Sequence, residues 1–153
     1  MKPTEPLPLN HSWPLFEQER RFELGHAFEW PETLPVVSAQ SLSHELAGQG
    51  VGLWSCDLAD NSLTWSAGVY DIFGLPRGAQ VRREEAVALY AEGSRAAMER
   101  LRAYAIKHRR GFTLDAELRP AQGGARWMRL IAVPVCDGRH VVRLHGVKRL
   151  IDR

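Results

Sequence analysis

The side chains able to do chemistry in this chain are spread thinly. Acid–base work needs paired carboxylates, and the candidates are Asp57, Asp71, Asp115 and Glu117. Each falls at a strand end, on a helix flank or at an outward strand position, so surface solvation, or a cross-strand pair such as Glu117 with a neighbouring arginine, is the expected role. Six histidines are scattered without the i, i+4 spacing or clustering that a metal needs, so no metal site is expected. His108 is the one histidine on an apolar stripe, and a helix-terminal histidine is readily satisfied by backbone carbonyls. No Ser/His/Asp arrangement and no glycine-rich phosphate loop is present. The two cysteines, Cys56 and Cys136, lack CxxC spacing and read as reduced thiols of a cytoplasmic protein. These residues predict no catalytic centre: the chain is not expected to be an enzyme.

Bulk properties narrow the partners. A net charge of +2 with 25% charged residues is close to balance, which favours neither nucleic acid nor an anionic membrane as a partner. The basic residues between Arg95 and Arg110 read as the solvated flank of a helix, because no exposed aromatics interleave them. No run approaches the roughly 18 apolar residues of a spanning helix, and MKPTEPLPLN lacks the apolar core of a signal peptide. With 153 residues, 44% of them hydrophobic, one core is expected.

Residues 1–37 read as an N-terminal extension. Pro3, Pro6, Pro8 and Pro14 make an extended arm, and Phe16, Phe22, Leu24, Phe28 and Trp30 form an aromatic segment that must pack on something. The domain proper is expected over 38–153. Ser38–Gln49 reads as a short helix capped by Ser41 or Ser43 and stopped by Gly48 and Gly50. Gly50–Pro76 then organises the rest. Val51, Leu53 and Ser55 alternate with Trp54, Cys56 and Leu58 as a strand covered on both faces. Asp60-Asn61 turns the chain into a second strand at Leu63–Trp65. Ser66 caps a helix carrying Val69, Tyr70, Ile72 and Phe73, which Gly74 and Pro76 end. A helix over Val81–Ala91 and a longer one from the cap Ser94 to about His108 follow, the latter with Ala97, Met98, Leu101, Tyr104, Ala105 and His108 as its stripe. Phe112–Leu118, Ala125–Cys136 and Arg139–Leu150 are three further strands, joined by Pro120–Gly124 and by the hairpin signal Asp137-Gly138. The fold class is therefore α+β: five antiparallel strands in one sheet, helices on one face, and an N-terminal helical extension.

At Trp54 with Asp57, Trp65-Ser66 and Tyr70 through Pro76, the chain resembles the PAS domain family, in the subgroup carrying W-x-x-D, W-S and Y-x-I-F-G-L-P. The likeness continues through Gly111-Phe112, Arg126-Trp127-Met128 and Leu144-His145-Gly146-Val147, about the last two thirds of the chain. It implies that helices enclose a pocket against one sheet face. Trp54, Cys56, Leu114, Ala116, Leu118, Met128, Leu130, Ala132, Leu144, Gly146 and Lys148 would point inward. Leu53, Trp127, Ile131, Val133 and Val147 would form an outer patch too apolar to stay wet, covered by the aromatic segment and the short helix within one chain or across a homodimer.

The pocket candidates are Trp54, Cys56, Tyr70, Tyr104, His108, Leu118, Met128, Leu130, Leu144 and Lys148, with Tyr90 as a further hydrogen-bonding group. Strand alternation and the family pattern both turn Lys148 inward, where an unpaired ammonium is costly; snorkelling out at the strand end is the expected outcome, and neutralising a carboxylate ligand or a Glu/Asp partner is the alternative. The cofactor is unknown. The flavin branch of the family needs an Asn-Cys-Arg signature, and Leu75–Ala91 has no cysteine; the haem branch needs a proximal histidine early in the long helix, and Ser94–Leu101 has none. Two further departures, Leu150-Ile151-Asp152 for the family's Asp-Ile-Thr and Ala91–Ser94 for its His-Pro-Asp-Asp, leave both a free-standing sensor acting through a partner and a domain of a longer protein in play. The resemblance implies a non-catalytic domain of bacterial-type signalling that binds a small molecule or a signalling protein partner. The alternatives are a small enzyme with His108 as base in a cone-shaped apolar pocket, and a pure dimerisation module without a cavity.

Overall fold

The computed structural model describes residues 36–153. The proline-rich arm and the aromatic segment Phe16–Trp30 lie outside the described residues. The elements run α1 (Val36–Gly48), β1 (Val51–Asp57), β2 (Ser62–Trp65), α2 (Ala67–Phe73), α3 (Arg83–Val87), α4 (Glu92–His108), β3 (Phe112–Leu118), β4 (Arg126–Asp137) and β5 (His140–Ile151). The five strands form one antiparallel sheet in the order β2-β1-β5-β4-β3. The last strand thus enters between the first hairpin and the β3–β4 pair and joins them in one layer. The α+β fold expected from the sequence is the one observed.

Local chemistry explains most of the boundaries. The Asp57 and Asp60 carboxylates accept the backbone N–H groups of Ala59 and Ser62, at 2.9 and 3.0 Å, and Asn61 takes the left-handed φ of 60° that closes the β1–β2 turn. Gly74 ends α2 at φ 70°, a conformation a Cβ disfavours. Helix α2 lies directly on β1 because two glycines meet there. A Cβ on Gly68 would fall 2.0 Å from the Val51 carbonyl oxygen, and one on Gly52 would fall 2.4 Å from the Val69 nitrogen.

Three serines expected to cap helices do something else. Ser43 lies within α1 and accepts the Ala67 N–H at 3.0 Å, tying α1 to the start of α2. Ser66 precedes α2 as its N-cap residue, yet its hydroxyl accepts the Leu53 N–H at 2.8 Å. Ser94 lies inside α4, whose N-cap is Ala91, and accepts the Glu117 N–H of β3 at 2.8 Å. Each hydroxyl bonds to a backbone donor brought near by the fold, a partner that sequence spacing does not reveal. The helix expected over Val81–Ala91 shortens to Arg83–Val87. Residues 88–91 instead run along the free edge of β3: the Arg119 N–H donates to the Leu89 carbonyl at 2.7 Å, the Ala91 N–H to the Glu117 carbonyl at 2.9 Å, and Tyr90 bridges Leu118.

The core lies between the sheet and helices α2 to α4. It contains the inward-facing Trp54, Cys56, Leu114, Ala116, Leu118, Met128, Leu130, Ala132 and Leu144, packed with Trp65, Phe73 and Tyr90. A second cluster occupies the opposite face, where Leu53, Ile131 and Val147 are 4, 0 and 3% exposed, with Leu46 of α1, Val51 and Val133 packed against them. The outer patch, expected to be too apolar to stay wet, is closed at its centre within the single chain, and Trp127 and Val133 at its margin are half-buried. Asp115, expected at an outward and solvated position, is buried; its carboxylate accepts two bonds from the register partner Arg129, at 2.8 and 3.1 Å. This is the cross-strand pair expected of Glu117, made two residues earlier on the same strand.

Candidate functional site: a lysine in an aromatic box

The site begins beside the contact of α2 with the sheet. Lys148 on β5 pairs with Gly52 of β1 on one side and Leu130 of β4 on the other, and the space over Gly52 is taken by Gly68 and Val69 of α2. The lysine stem lies among rings from β1, β2, α2 and the segment after α3. Its Nζ lies 5.1 Å from the centre of a Trp54 ring, 5.9 Å from Trp65, 4.8 Å from Phe73 and 5.9 Å from Tyr90. Among the described residues its one hydrogen-bond partner is the Tyr90 hydroxyl at 3.5 Å. Lys148 is 7% exposed, so the snorkelling expected from the sequence does not occur. Residues at strand ends snorkel when water is within reach of the stem; here the aromatic cluster closes that route.

The rings are held firmly. Trp65 stacks on Phe73 at 4.9 Å and meets Tyr70 edge-on at 5.1 Å, and Phe73 packs against Tyr90 at 5.9 Å. The Trp54 indole N–H donates to the Ile131 carbonyl at 3.3 Å. That bond reaches from β1 across β5 to β4, at the level where Trp54 faces Gly146. The β3-edge pairing of residues 88–91 sets Tyr90 above the lysine.

Two opposing effects act on the amine. Burial disfavours the ammonium by several kcal/mol, whereas a ring face offers a cation about 0.5–2 kcal/mol. Burial prevails and, with the Arg83 charge adding to it, brings Lys148 down to about 7 from the ordinary 10.5. Among the described residues no carboxylate pairs with it. Tyr90 is pushed up, mainly by burial, so it stays a neutral hydroxyl.

Beside the amine is a cavity of about 50 Å³, lined by Trp54, Cys56, Leu63, Trp65, Arg83, Ala86, Val87, Tyr90, Met98, Arg102, Phe112, Leu130, Leu144 and Lys148. Drug-sized ligands occupy roughly 300–1,000 Å³ and one water needs about 10–15 Å³, so this space suits a molecule of a few heavy atoms. A flavin or a haem does not fit it. The polar groups around it are donors above all. The Trp65 indole N–H is buried without a hydrogen-bond partner among the described residues, and the half-buried Arg83 and Arg102 bring guanidinium groups. Arg83 is paired with Glu99, while Arg102 donates to the Asn61 side-chain oxygen at 3.0 Å. Burial raises the Cys56 thiol, with Arg102 beside it acting in the opposite direction.

Of the ten candidates, Trp54, Cys56, Leu130, Leu144 and Lys148 line this cavity, while Leu118 and Met128 are buried in the core beyond it. Tyr70 lies on an adjoining groove, which shares Leu63, Trp65 and Arg83 with the cavity, and donates its hydroxyl to the Ala79 carbonyl at 2.9 Å. Tyr104 and His108 are corrections. Tyr104 is 46% exposed and stacks against the exposed His108 at 4.3 Å. At 3.6 residues per turn Tyr104 sits about 100° round the helix from buried Ala105, and residues 107–110 at the helix end are all exposed. Sequence reasoning missed Trp65, Arg83 and Arg102 as lining groups. The W-S motif was a signal for Trp65; nothing local distinguishes the two arginines from the solvated ones around them.

No protein-family model matches the chain, and no curated protein does. Solved structures do. A sensory box histidine kinase/response regulator from Burkholderia thailandensis E264 superposes with a TM-score of 0.58 at 16% identity, over 72% of this chain and 83% of that one. The PAS domain of a protein from Colwellia psychrerythraea gives 0.57 at 15% identity, over 73% and 95%. The N-terminal domain of a diguanylate cyclase with PAS/PAC sensor from Marinobacter aquaeolei gives 0.58 at 14%, over 64% and 92%. The chain has the PAS fold. Within it, the PAS sheet supplies Trp54, Cys56, Leu130, Leu144 and Lys148, and the PAS helical layer supplies the roof. Among the described residues no helix is long and apolar enough to cross a membrane.

Proposed function

We propose that this PAS domain is a non-catalytic sensory module that takes a small, acceptor-rich molecule into the cavity beside Lys148 and passes the signal to a protein partner. The observation that carries the reading is a buried amine that no carboxylate pairs with among the described residues, surrounded by four rings, one of which, Trp65, has an indole N–H without an acceptor there. A buried donor left unpaired costs about 1–3 kcal/mol, and a ligand oxygen would recover it. The alternatives fit less well. A dimerisation module without a cavity has no use for this space, and the enzyme alternative relied on His108, which is exposed.

Self-association belongs to the same proposal. The half-buried Trp127 and Val133 flank the closed outer cluster, and a second copy laid on that face would cover them.

Binding is tested by native mass spectrometry and absorption of freshly purified protein, followed by NMR titration with acetate as the probe. Acetate is expected to shift the Trp54, Trp65 and Tyr90 signals in wild type and to leave Lys148→Met unchanged. Equal shifts in the two proteins would remove Lys148 from the site.

A further inference from the structure

Lys148 combines three properties that the binding reading does not use together. It carries a nucleophilic atom at the wall of a cavity of about 50 Å³. It has no carboxylate to hold it as an ammonium among the described residues. Its surroundings call for negative charge: the lining Trp65, whose N–H has no acceptor among the described residues, the Tyr90 hydroxyl, and the lining Arg83 and Arg102. A neutral amine that meets an electrophile and ends as an oxyanion would use all three.

We propose that Lys148 is a carbamylation site, at which the amine adds carbon dioxide reversibly and the domain responds to dissolved CO2. The Nζ lone pair attacks the carbon, an N–C bond forms, and the electron pair of one C=O π bond moves onto oxygen. A proton leaves nitrogen for solvent, and the product is the carbamate anion, with no oxidant or further reactant. The electrophile is apolar and has three heavy atoms, which matches both the apolar walls and the volume. The carbamate oxygens then accept from Tyr90 and Trp65, with Arg83 and Arg102 offsetting the new charge. An aldehyde forming an imine would lose its oxygen as water and leave the Trp65 donor without an acceptor, so CO2 fits better. The groups facing the amine are Cys56 from β1, Arg83 from α3, Tyr90 from the β3-edge segment, and Arg102 with the Arg83-paired Glu99 from α4. Loading should increase as pH rises through neutrality, because only the unprotonated amine reacts.

The inference rests on the pocket reading above. The test incubates the full chain with carbon-13 bicarbonate, traps carbamates by O-alkylation with a trialkyloxonium salt, and maps them by peptide mass spectrometry. The expected result is an adduct on the Lys148 peptide of wild type, more abundant at higher pH and lost entirely in Lys148→Arg. Mapping on wild type requires no variant to fold. Trapping at the N-terminal amine with none at Lys148 overturns the carbamate. If the Trp54 and Tyr90 signals still shift with acetate in that case, the pocket reading survives alone; if they do not, both fail.

Discussion

The decisive residue is Lys148, and its protonation has a consequence for stability. In the unfolded chain the amine titrates near 10.5, and in the folded protein near 7. Between those values the unfolded state holds the extra proton, so raising the pH across that window stabilises the fold, and below it the full burial penalty remains. Lys148→Met, which keeps an unbranched apolar stem among the rings, is expected to stabilise the protein at neutral pH by roughly 1–3 kcal/mol. It should also abolish the rise with pH. Urea midpoints of the two proteins at neutral pH and about two units higher check both effects; a destabilised Met variant at neutral pH would contradict the unpaired amine. A second expectation concerns Trp65. Trp65→Phe keeps a ring and removes the unpartnered N–H, so stability should change by less than about 1 kcal/mol while acetate binding weakens, as NMR titration would record.

At the scale of elements, the site depends on short tethers between neighbours. The Ser94 hydroxyl holds α4 to the Glu117 amide of β3, and the segment just before α4 carries Tyr90. Ser94→Ala should cost about 1–3 kcal/mol, the loss of an acceptor for a partly buried amide. Hydrogen exchange at Glu117 should accelerate with it, and an unchanged exchange rate would mean that another group accepts that N–H. The Gly52–Gly68 contact is less forgiving. Gly68→Ala places a methyl 2.0 Å from the Val51 carbonyl oxygen, so α2 must lift from β1, at about 3 kcal/mol or more, and Phe73 leaves the box with it. Thermal unfolding and the near-ultraviolet signal of the tryptophans report this.

For the whole molecule, the two faces of the sheet have different roles. One lines the cavity beside Lys148; the other buries Leu53, Ile131 and Val147 at its centre and leaves Trp127 and Val133 half-covered. Self-association through that margin predicts a dimer mass by light scattering at micromolar concentration, reduced to a monomer by Trp127→Glu. A monomeric wild type removes the homodimer while leaving the cavity untouched.

The amino-acid pattern alone determined the architecture. Period-two alternation in β1, β3 and β4, turn chemistry at Asp60-Asn61 and Asp137-Gly138, and the Gly74 stop are local preferences that agree with the global fold. The resemblance to the PAS family turned Trp54 and Met128 to the inner face, and strand alternation in β5 agreed with it for Lys148. Only the tertiary structure decided which inward residues surround the cavity. Tyr104 and His108 fall beyond it because an amphipathic stripe gives a direction but not the reach of a helix past its sheet. Tyr90 enters because the segment after α3 pairs with the edge of β3. The serines expected as caps found backbone donors on other elements, and the lysine remained buried because rings distant in sequence closed around it. Such contacts depend on distances across the fold, which local spacing does not encode.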